Sequence, residues 1–151
     1  MKMAKTGLKS VLLIDDEVPL FRIIERLAAG SHVELIHAAT GADGVRLAAD
    51  HRPHLIVLDM TLPDIDGLTV LDCLKSAPQT RGIPVIIFSG RCDHEERIAA
   101  FRLGAEDYLE KPFDSEMLLR RIEHHIFKAS ETIKTTGTET VDPRSASGRR
   151  G

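Results

Sequence analysis

Five short runs of consecutive apolar residues, separated by longer segments with helical periodicity, are the feature that most constrains the fold of this chain. The runs are Val11–Ile14, Val33–His37, Leu55–Leu58, Val85–Phe88 and, less strongly apolar, Asp107–Glu110. A strand that is apolar at every position is buried on both faces, which is typical of a parallel sheet covered by helices. The sequence therefore predicts an α/β fold.

The segments between the runs carry apolar residues three or four positions apart, as amphipathic helices require. Examples are Phe21, Ile24 and Ala28 in the first segment, and Leu118, Ile122 and Ile126 in the last. N-caps are predicted at Thr40, three residues before Asp43, and at Asp114 or Ser115. Five βα units imply right-handed crossovers and a doubly wound sandwich, in which the functional crevice lies at the carboxyl ends of the strands.

Composition favours a soluble domain with an aliphatic core. Of the 151 residues, 42% are hydrophobic, 28% are charged and 4% are aromatic, with no tryptophan. The formal net charge of −3 disfavours nucleic acid as the main partner, because phosphate binding favours a basic surface. Cys73 and Cys92 lack the CxxC spacing of a metal or redox site, and the first apolar run is too short for a signal peptide or a membrane span. We therefore expect a cytoplasmic protein.

The pattern of apolar residues stops near Lys134. Residues 135–151 are rich in Thr, Ser, Gly and Arg and cannot bury apolar surface. We therefore expect one folded domain over residues 8–128 and a largely disordered C-terminal extension over residues 129–151.

Three aspartates follow strands that a doubly wound fold places side by side. Asp15 and Asp16 follow the first run, and Asp59 follows the third. At an effective dielectric near 20, two like charges about 5 Å apart repel by roughly 3 kcal/mol, so such a cluster needs a cation. Oxygen ligands without His or Cys suit a hard ion such as Mg2+. The alternative, that Asp15 and Asp16 only cap the first helix, leaves Asp59 unexplained.

The fourth and fifth strands also end in groups that serve phosphoryl chemistry. The Ser89 hydroxyl can donate to an oxyanion, Gly90 leaves room beside it, and Lys111 supplies a cation on a flexible stem. Each has a plainer interpretation, as a helix cap for Ser89 and a surface lysine for Lys111. Together with the aspartates, they predict a site at which Asp59 attacks phosphorus and forms an acyl phosphate.

Two longer segments match the pattern of a known family. Residues 59–67 (DMTLPDIDG) fit D-x-x-[LM]-P-x-x-[DN]-G at every position, and residues 103–113 (LGAEDYLEKPF) contain G-A-x-[DG]-[YF]-x-x-K-P-[FL]. Over about residues 8–128 the chain resembles the receiver domain of bacterial response regulators. The resemblance implies a flavodoxin-like (βα)5 sandwich with a parallel five-stranded sheet of order 2-1-3-4-5.

The resemblance implies a metal role for residues that follow the first and third strands. Asp59 is implied as the phosphoacceptor, which becomes 4-aspartylphosphate, and also as a Mg2+ ligand with Asp16. Asp15 would act through water, and the backbone carbonyl of Thr61 would complete the protein's share of the ligands.

The resemblance also implies a conformational switch. Lys111 would hold the phosphoryl oxygens, Ser89 would move toward them, and Tyr108 would turn inward from the surface. These movements would change the face made by the fourth helix, fifth strand and fifth helix. The bond from Lys111 to Pro112 is implied to be a cis peptide bond. We further hypothesise that Arg91 leans over the phosphoryl group and slows its loss.

The leading hypothesis is a phosphorylation-dependent receiver domain in a two-component phosphorelay, with no enzymatic activity beyond its own phosphorylation and dephosphorylation. We expect a histidine kinase or a phosphotransfer protein as phosphodonor and a downstream protein as target. We expect no direct contact with nucleic acid or membrane, and either a monomer or a phosphorylation-dependent dimer.

Two alternative functions stay open at this point. One is a receiver-like scaffold that is not phosphorylated. The other is a Mg2+-dependent aspartyl phosphatase resembling the haloacid dehalogenases. That family has a second Asp two residues after its nucleophile, where this chain has Thr61.

Overall fold

The chain folds into five strands and five helices that alternate along the sequence. The computed structural model describes residues 8–30, 32–90, 93–111 and 114–136. The strands are β1 (Lys9–Ile14), β2 (Val33–Ala38), β3 (Leu55–Asp59), β4 (Val85–Ser89) and β5 (Asp107–Glu110). The helices are α1 (Val18–Ala28), α2 (Gly41–His51), α3 (Gly67–Ser76), α4 (His94–Leu103) and α5 (Ser115–Thr136).

The strands form one parallel sheet of order β2-β1-β3-β4-β5. This confirms the predicted α/β fold and strand order, and each predicted run lies within an observed strand. Ile14 pairs with Leu58, and Leu58 pairs with Ile87, so the carboxyl ends of the three central strands are aligned. Residues that follow these strands therefore share one edge of the sheet.

Helices cover both faces of the sheet, and successive strand residues point to opposite layers. The layer with α2, α3 and α4 buries Ile14, Ile56, Leu58, Leu71, Leu74 and Ala100. The layer with α1 and α5 buries Leu13, Val57, Ile24, Leu118 and Ile122. The predominantly aliphatic core that the composition predicted is present, and it fixes the strands whose ends carry the site.

The predicted helix starts are formed by side-chain caps. Thr40 Oγ1 accepts a hydrogen bond from the backbone N–H of Asp43 at 3.1 Å. Asp114 Oδ1 accepts one from the N–H of Met117 at 2.6 Å. Such caps satisfy N–H groups that the first helical turn leaves unpaired. Gly104 ends α4 in the left-handed conformation, with φ +113°, which glycine adopts without a steric penalty.

Helix α5 continues past residue 128, where the predicted domain boundary lies. The backbone of residues 129–136 is helical, and residues 137–151 of the predicted extension lie outside the described residues. Arg91, Cys92 and Pro112 also lie outside them, so the shielding role of Arg91 and the cis peptide bond stay predictions. Among the residues that the structure describes, none of the helices combines the length and apolar character needed to cross a membrane.

Candidate functional site

Asp15, Asp16 and Asp59 meet at the carboxyl edge of the sheet. Each offers a carboxylate oxygen that lies within 4.8 Å of the other two. Asp15 directly follows β1 and Asp59 ends β3, and these two strands are hydrogen-bonded neighbours. Asp15 and Asp59 are buried, whereas Asp16 is exposed. The structure thus brings together all three aspartates that the sequence singled out.

Asp15 is held at its backbone and at one carboxylate oxygen. Its Oδ1 accepts a hydrogen bond from the N–H of Glu17 at 3.1 Å. Glu17 is the N-cap residue of α1 and forms no side-chain cap. Interactions of Asp15 and Asp16 with the start of α1 would in any case leave the presence of Asp59, which ends β3, in the cluster unexplained.

The other oxygen of Asp15 is left without compensation. Oδ2 is buried and has no hydrogen-bond partner among the described residues. The pKa of Asp15 is raised to about 7, mainly by burial; the neighbouring Asp59 carboxylate contributes to this rise, and the hydrogen bond from the Glu17 N–H opposes it. An unpartnered buried acceptor costs about 1–3 kcal/mol. A proton or a cation at this oxygen would remove that cost.

Asp59 has different neighbours at its two carboxylate oxygens. Oδ1 accepts a hydrogen bond from the N–H of Thr61 at 3.0 Å, and Oδ2 lies 3.6 Å from Lys111 Nζ. Burial raises the pKa of Asp59, while the Thr61 N–H and the Lys111 ammonium act against that rise. Lys111 Nζ also lies 3.8 Å from Glu17 Oε2, so this one cation serves two carboxylates.

The donor set fits a hard divalent cation. The three grouped residues offer only carboxylate oxygens, the ligand type that Mg2+ and Ca2+ prefer. The uncompensated Oδ2 of Asp15 is the independent sign that the cluster lacks positive charge. Such a cation would be held by Asp15, Asp16 and Asp59.

The loop after Asp59 is folded back against the strand from which it comes. The N–H of Gly67 donates to the carbonyl of Met60 at 3.2 Å. A Cβ atom at Gly67 would lie 2.6 Å from Met60 Cα, closer than real Cβ atoms approach backbone. The Asp64 carboxylate accepts hydrogen bonds from the N–H groups of Gly41 and Ala42, at 2.8 and 3.0 Å. The loop is therefore fixed both to β3 and to the start of α2.

Ser89 and Lys111 occupy the positions expected from the sequence. Ser89 ends β4 and is fully buried. The backbone N–H of Lys111 donates to the Ser89 carbonyl at 2.7 Å, which ties the ends of β4 and β5 together. Among the described residues outside its own chain neighbours, the nearest contact of a Cβ atom added to Gly90 would be Lys111 Cδ, at an unstrained 3.8 Å.

Tyr108 lies inside the protein, whereas the switch predicted from the sequence has this side chain start at the surface and turn inward. The side chain is 6% exposed, and its Oη donates to Glu96 Oε1 at 3.3 Å. The Arg97 guanidinium carbon lies 5.7 Å from the ring centroid. Burial raises the pKa of Tyr108, and the hydrogen bond with the Ser89 side chain acts against that rise. Contacts from α4 thus account for the inward position.

Three neighbours of the site were missed by reasoning from the sequence. Glu17 faces Lys111, Glu96 bonds Tyr108, and His37 Nε2 lies 2.7 Å from the carbonyl oxygen of Asp15. The position of Glu17 near the site could have been inferred from the sequence, since it directly follows Asp15 and Asp16. The contacts of Glu96 and His37 depend on tertiary packing and could not have been inferred in this way.

Comparison with known proteins gives the same family as the sequence motifs. Residues 11–123 match the response regulator receiver domain. The transcriptional regulatory protein PrrA of Mycobacterium tuberculosis is 34% identical over 138 residues, covering 90% of this chain and 58% of PrrA. KdpE of the same organism is 38% identical over 133 residues, covering 88% of this chain and 55% of KdpE. The chain thus spans a little over half the length of these relatives.

Solved structures of receiver domains are similar over nearly their whole length. The signal receiver domain of a putative Luxo repressor protein from Vibrio parahaemolyticus has a TM-score of 0.75 and 28% identity, covering 85% of this chain and 97% of that one. A CheY-like receiver domain protein from Methanospirillum hungatei has a TM-score of 0.74 and 25% identity, covering 83% and 98%. The chain therefore belongs to the receiver-domain family of two-component response regulators.

Proposed function

We propose that Asp59 is the residue that accepts the phosphoryl group in this receiver domain. One observation carries the proposal: the buried Asp59 carboxylate lies within 4.8 Å of oxygens from two further aspartates and 3.6 Å from a lysine ammonium. The aspartates supply a place for a cation, and the lysine supplies a second positive charge beside the same carboxylate. Phosphoryl transfer depends mainly on such positioning and charge neutralisation.

In the proposed reaction, a carboxylate oxygen of Asp59 attacks the phosphorus of the donor. A new oxygen–phosphorus bond forms while the bond from phosphorus to the donor's histidine nitrogen breaks, and Asp59 becomes 4-aspartylphosphate. The Oδ2 atom is the better placed nucleophile, because Oδ1 is occupied by the Thr61 N–H. The donor is a histidine kinase or a phosphotransfer protein, in keeping with the two-component family.

Mg2+ is the cation that we propose for the acidic cluster. Asp15, Asp16 and Asp59 would hold it, with the Thr61 carbonyl as a further ligand and Asp15 bonded through water. When bound, the ion supplies positive charge that the transferring phosphoryl group requires. The residues' own task is to present their oxygens to the ion beside Asp59, while Lys111, 3.6 Å from Asp59 Oδ2, is placed to hold phosphoryl oxygens.

Phosphorylation would then act on Ser89 and Tyr108. A phosphoryl group adds about −1.5 to −2 charge and three acceptor oxygens at Asp59. The Ser89 hydroxyl and the Lys111 ammonium are donors for them. Shifting a two-state equilibrium from 1:99 to 99:1 takes about 5.5 kcal/mol, which a few charge-assisted hydrogen bonds can supply. The Ser89 side chain interacts with that of Tyr108. Movement of Ser89 would therefore displace Tyr108 and change the face formed by α4, β5 and α5.

The proposed output is a contact between that face and a downstream protein, with the domain monomeric or dimerising when phosphorylated. The face carries Phe101 and Met117, which are 41% and 42% exposed, as apolar contact points. The proposal includes no direct nucleic-acid or membrane contact by this domain, no catalytic turnover of other substrates, and a cytoplasmic location.

The decisive experiment is intact-mass spectrometry after incubation with acetyl phosphate and Mg2+. We expect one added phosphoryl group in the wild type and in Asp72→Ala, an exposed helical aspartate used as the control, and none in Asp59→Ala. Equal modification of Asp59→Ala would show that another residue is the acceptor. An unmodified wild type would favour the scaffold, and sustained turnover of simple phosphoesters would favour the phosphatase.

A further inference from the structure

His37 occupies a position that no feature of the sequence explains. It lies on β2, the edge strand, and faces the α1 side of the sheet in alternation with Val33 and Leu35. Its ring stacks on Phe21 of α1, with centroids 4.5 Å apart and planes inclined by 15°. Its Nε2 atom lies 2.7 Å from the backbone carbonyl oxygen of Asp15.

The contact between His37 and Asp15 lies directly beyond the last backbone hydrogen bond between β1 and β2. The last backbone bond between these strands runs from the Asp15 N–H to the Ala38 carbonyl, at 2.9 Å. Asp15 is buried, so its carbonyl needs a donor. A carbonyl oxygen can only accept, and therefore the hydrogen must be on Nε2 of His37. The imidazole thus donates a hydrogen bond to the carbonyl of the first residue after β1, a carbonyl that has no backbone partner on β2 among the described residues.

This hydrogen bond orients the start of the acidic loop. The carbonyl of Asp15 and the N–H of Asp16 belong to one planar peptide group, so fixing the carbonyl fixes the plane from which Asp16 continues. The Asp15 side chain is fixed separately, by the Glu17 N–H. Asp16 is exposed, which makes the backbone the main constraint on its direction.

We propose that His37 is a positioning residue of the metal site. By donating Nε2–H to the Asp15 carbonyl, it holds the Asp15–Asp16 peptide so that both carboxylates face the same cation as Asp59. The cation is a hard divalent ion of the Mg2+ class. This inference rests on the proposed function, because it presumes that the acidic cluster binds Mg2+.

Two substitutions separate the hydrogen bond from the ring stacking. His37→Phe keeps an aromatic ring against Phe21 and removes the donor. His37→Gln removes the ring and keeps an amide N–H at a similar reach. Phe21→Leu removes the stacking partner and leaves the donor in place. Mg2+ affinity is measured on the full chain by NMR titration of backbone amides, at a temperature where circular dichroism shows every variant folded.

We expect His37→Phe to weaken Mg2+ binding about tenfold, the size of effect that loss of an outer-shell hydrogen bond has at metal sites. His37→Gln and Phe21→Leu should stay within about threefold of the wild type, well short of that loss. If His37 had only a structural role, all three variants would have a lower melting temperature, and their Mg2+ affinities would not differ in this way.

Wild-type affinity in His37→Phe would overturn the inference, as would equal losses in the Phe and Gln variants. Failure of the wild type itself to bind Mg2+ would instead overturn the metal site in the proposed function. Nitrogen-15 NMR of the wild-type imidazole gives a test without any variant. The hydrogen should be found on Nε2, and a neutral ring with its hydrogen only on Nδ1 would exclude the donor role.

Discussion

The Lys111 ammonium lies 3.6 Å from Oδ2 of Asp59, across the end of β4, the strand that separates β3 from β5. The lysine side chain is about a quarter exposed, at 26%, and the aspartate only 3%. A nearly buried carboxylate thus has a partly hydrated cation as its partner. Burial, the larger effect, raises the pKa of Asp59, and the Lys111 charge opposes that rise.

Replacing Lys111 by methionine should raise the pKa of Asp59. Burial already favours the neutral acid, and the lysine charge is one of the groups that oppose this. Carbon-13 NMR of the Asp59 carboxyl carbon in metal-free buffer measures the titration. Lys9→Met, at the opposite end of β1, is the control and should leave the pKa of Asp59 unchanged. An unchanged value in Lys111→Met as well would mean that the ammonium does not act on the carboxylate in solution.

Asp15→Asn should stabilise the metal-free protein near neutral pH. The pKa of Asp15 is raised from 3.8 to about 7, so the folded state binds this proton more tightly than the unfolded state. The resulting stabilisation is complete below about pH 4 and is lost as the pH rises through about 7. Asparagine stays neutral throughout. The melting temperature of the Asp15→Asn variant should therefore exceed that of the wild type by about 4 °C at neutral pH, which corresponds to roughly 1 kcal/mol of unfolding free energy.

The pH dependence distinguishes this effect from a general gain in packing. In EDTA, the difference in melting temperature between Asp15→Asn and the wild type should shrink as the pH falls toward about 4. Asp16→Asn is the comparison variant, and its gain should be smaller because Asp16 is exposed. Destabilisation by Asp15→Asn at every pH would contradict the view of a crowded carboxylate cluster.

Mg2+ should raise the melting temperature of the wild type, since the ion binds the assembled cluster and not the unfolded chain. When the free Mg2+ concentration is ten times the dissociation constant, the gain in unfolding free energy is about 1.4 kcal/mol. Potassium chloride at equal ionic strength controls for screening. Asp59→Asn, which removes one ligand charge, should show a much smaller gain. An equal response of both proteins would place the ion elsewhere.

Gly67→Ala should be destabilising by about 1–3 kcal/mol, the usual range for local backbone strain. The new Cβ would lie 2.6 Å from Met60 Cα, and backbone cannot yield as a side chain can. The loop after Asp59 would shift, so phosphorylation should slow as well. Gly82→Ala is the matched control, because a Cβ there has no neighbour within 4 Å in the part of the chain that the structure describes. Urea unfolding gives both free energies, and equal values would contradict the packing described for Gly67.

Glu96→Ala should release Tyr108 from its inward position. Tyr108 is the single tyrosine in a chain without tryptophan, so intrinsic fluorescence reports on it alone. Loss of the Glu96 acceptor should increase quenching of this fluorescence by acrylamide. Glu95→Ala, at an exposed neighbouring position, is the control, and acrylamide should quench its fluorescence to the same extent as in the wild type. If both variants match the wild type, the hydrogen bond from Tyr108 to Glu96 does not hold the ring inside.

The sequence predicted the sheet and the strand ends because both depend on local patterns. A run such as Leu55–Leu58 is apolar throughout, and its burial on both faces follows from that alone. Since parallel strands end at one edge, the meeting of Asp15 with Asp59 followed from the strand assignment. The same logic placed Ser89 and Lys111 beside them.

Features set by side-chain packing between distant segments were beyond such reasoning. His37 looked like part of an apolar strand, and only the position of α1 brings it between Phe21 and the Asp15 carbonyl. The inward position of Tyr108 depends on Glu96, a residue on a different element. The helical backbone of residues 129–136 was not predicted, because the polar composition after residue 128 gives no apolar face to recognise.

The backbone bond from Lys111 to the Ser89 carbonyl has a practical consequence for engineering. It joins the two ends of the segment that contains α4, so the sheet fixes the backbone positions from which the Ser89 and Lys111 side chains extend. Exchanging α4 for the corresponding helix of another receiver domain should therefore change the surface that α4 presents while leaving the backbone spacing of Ser89 and Lys111 unchanged.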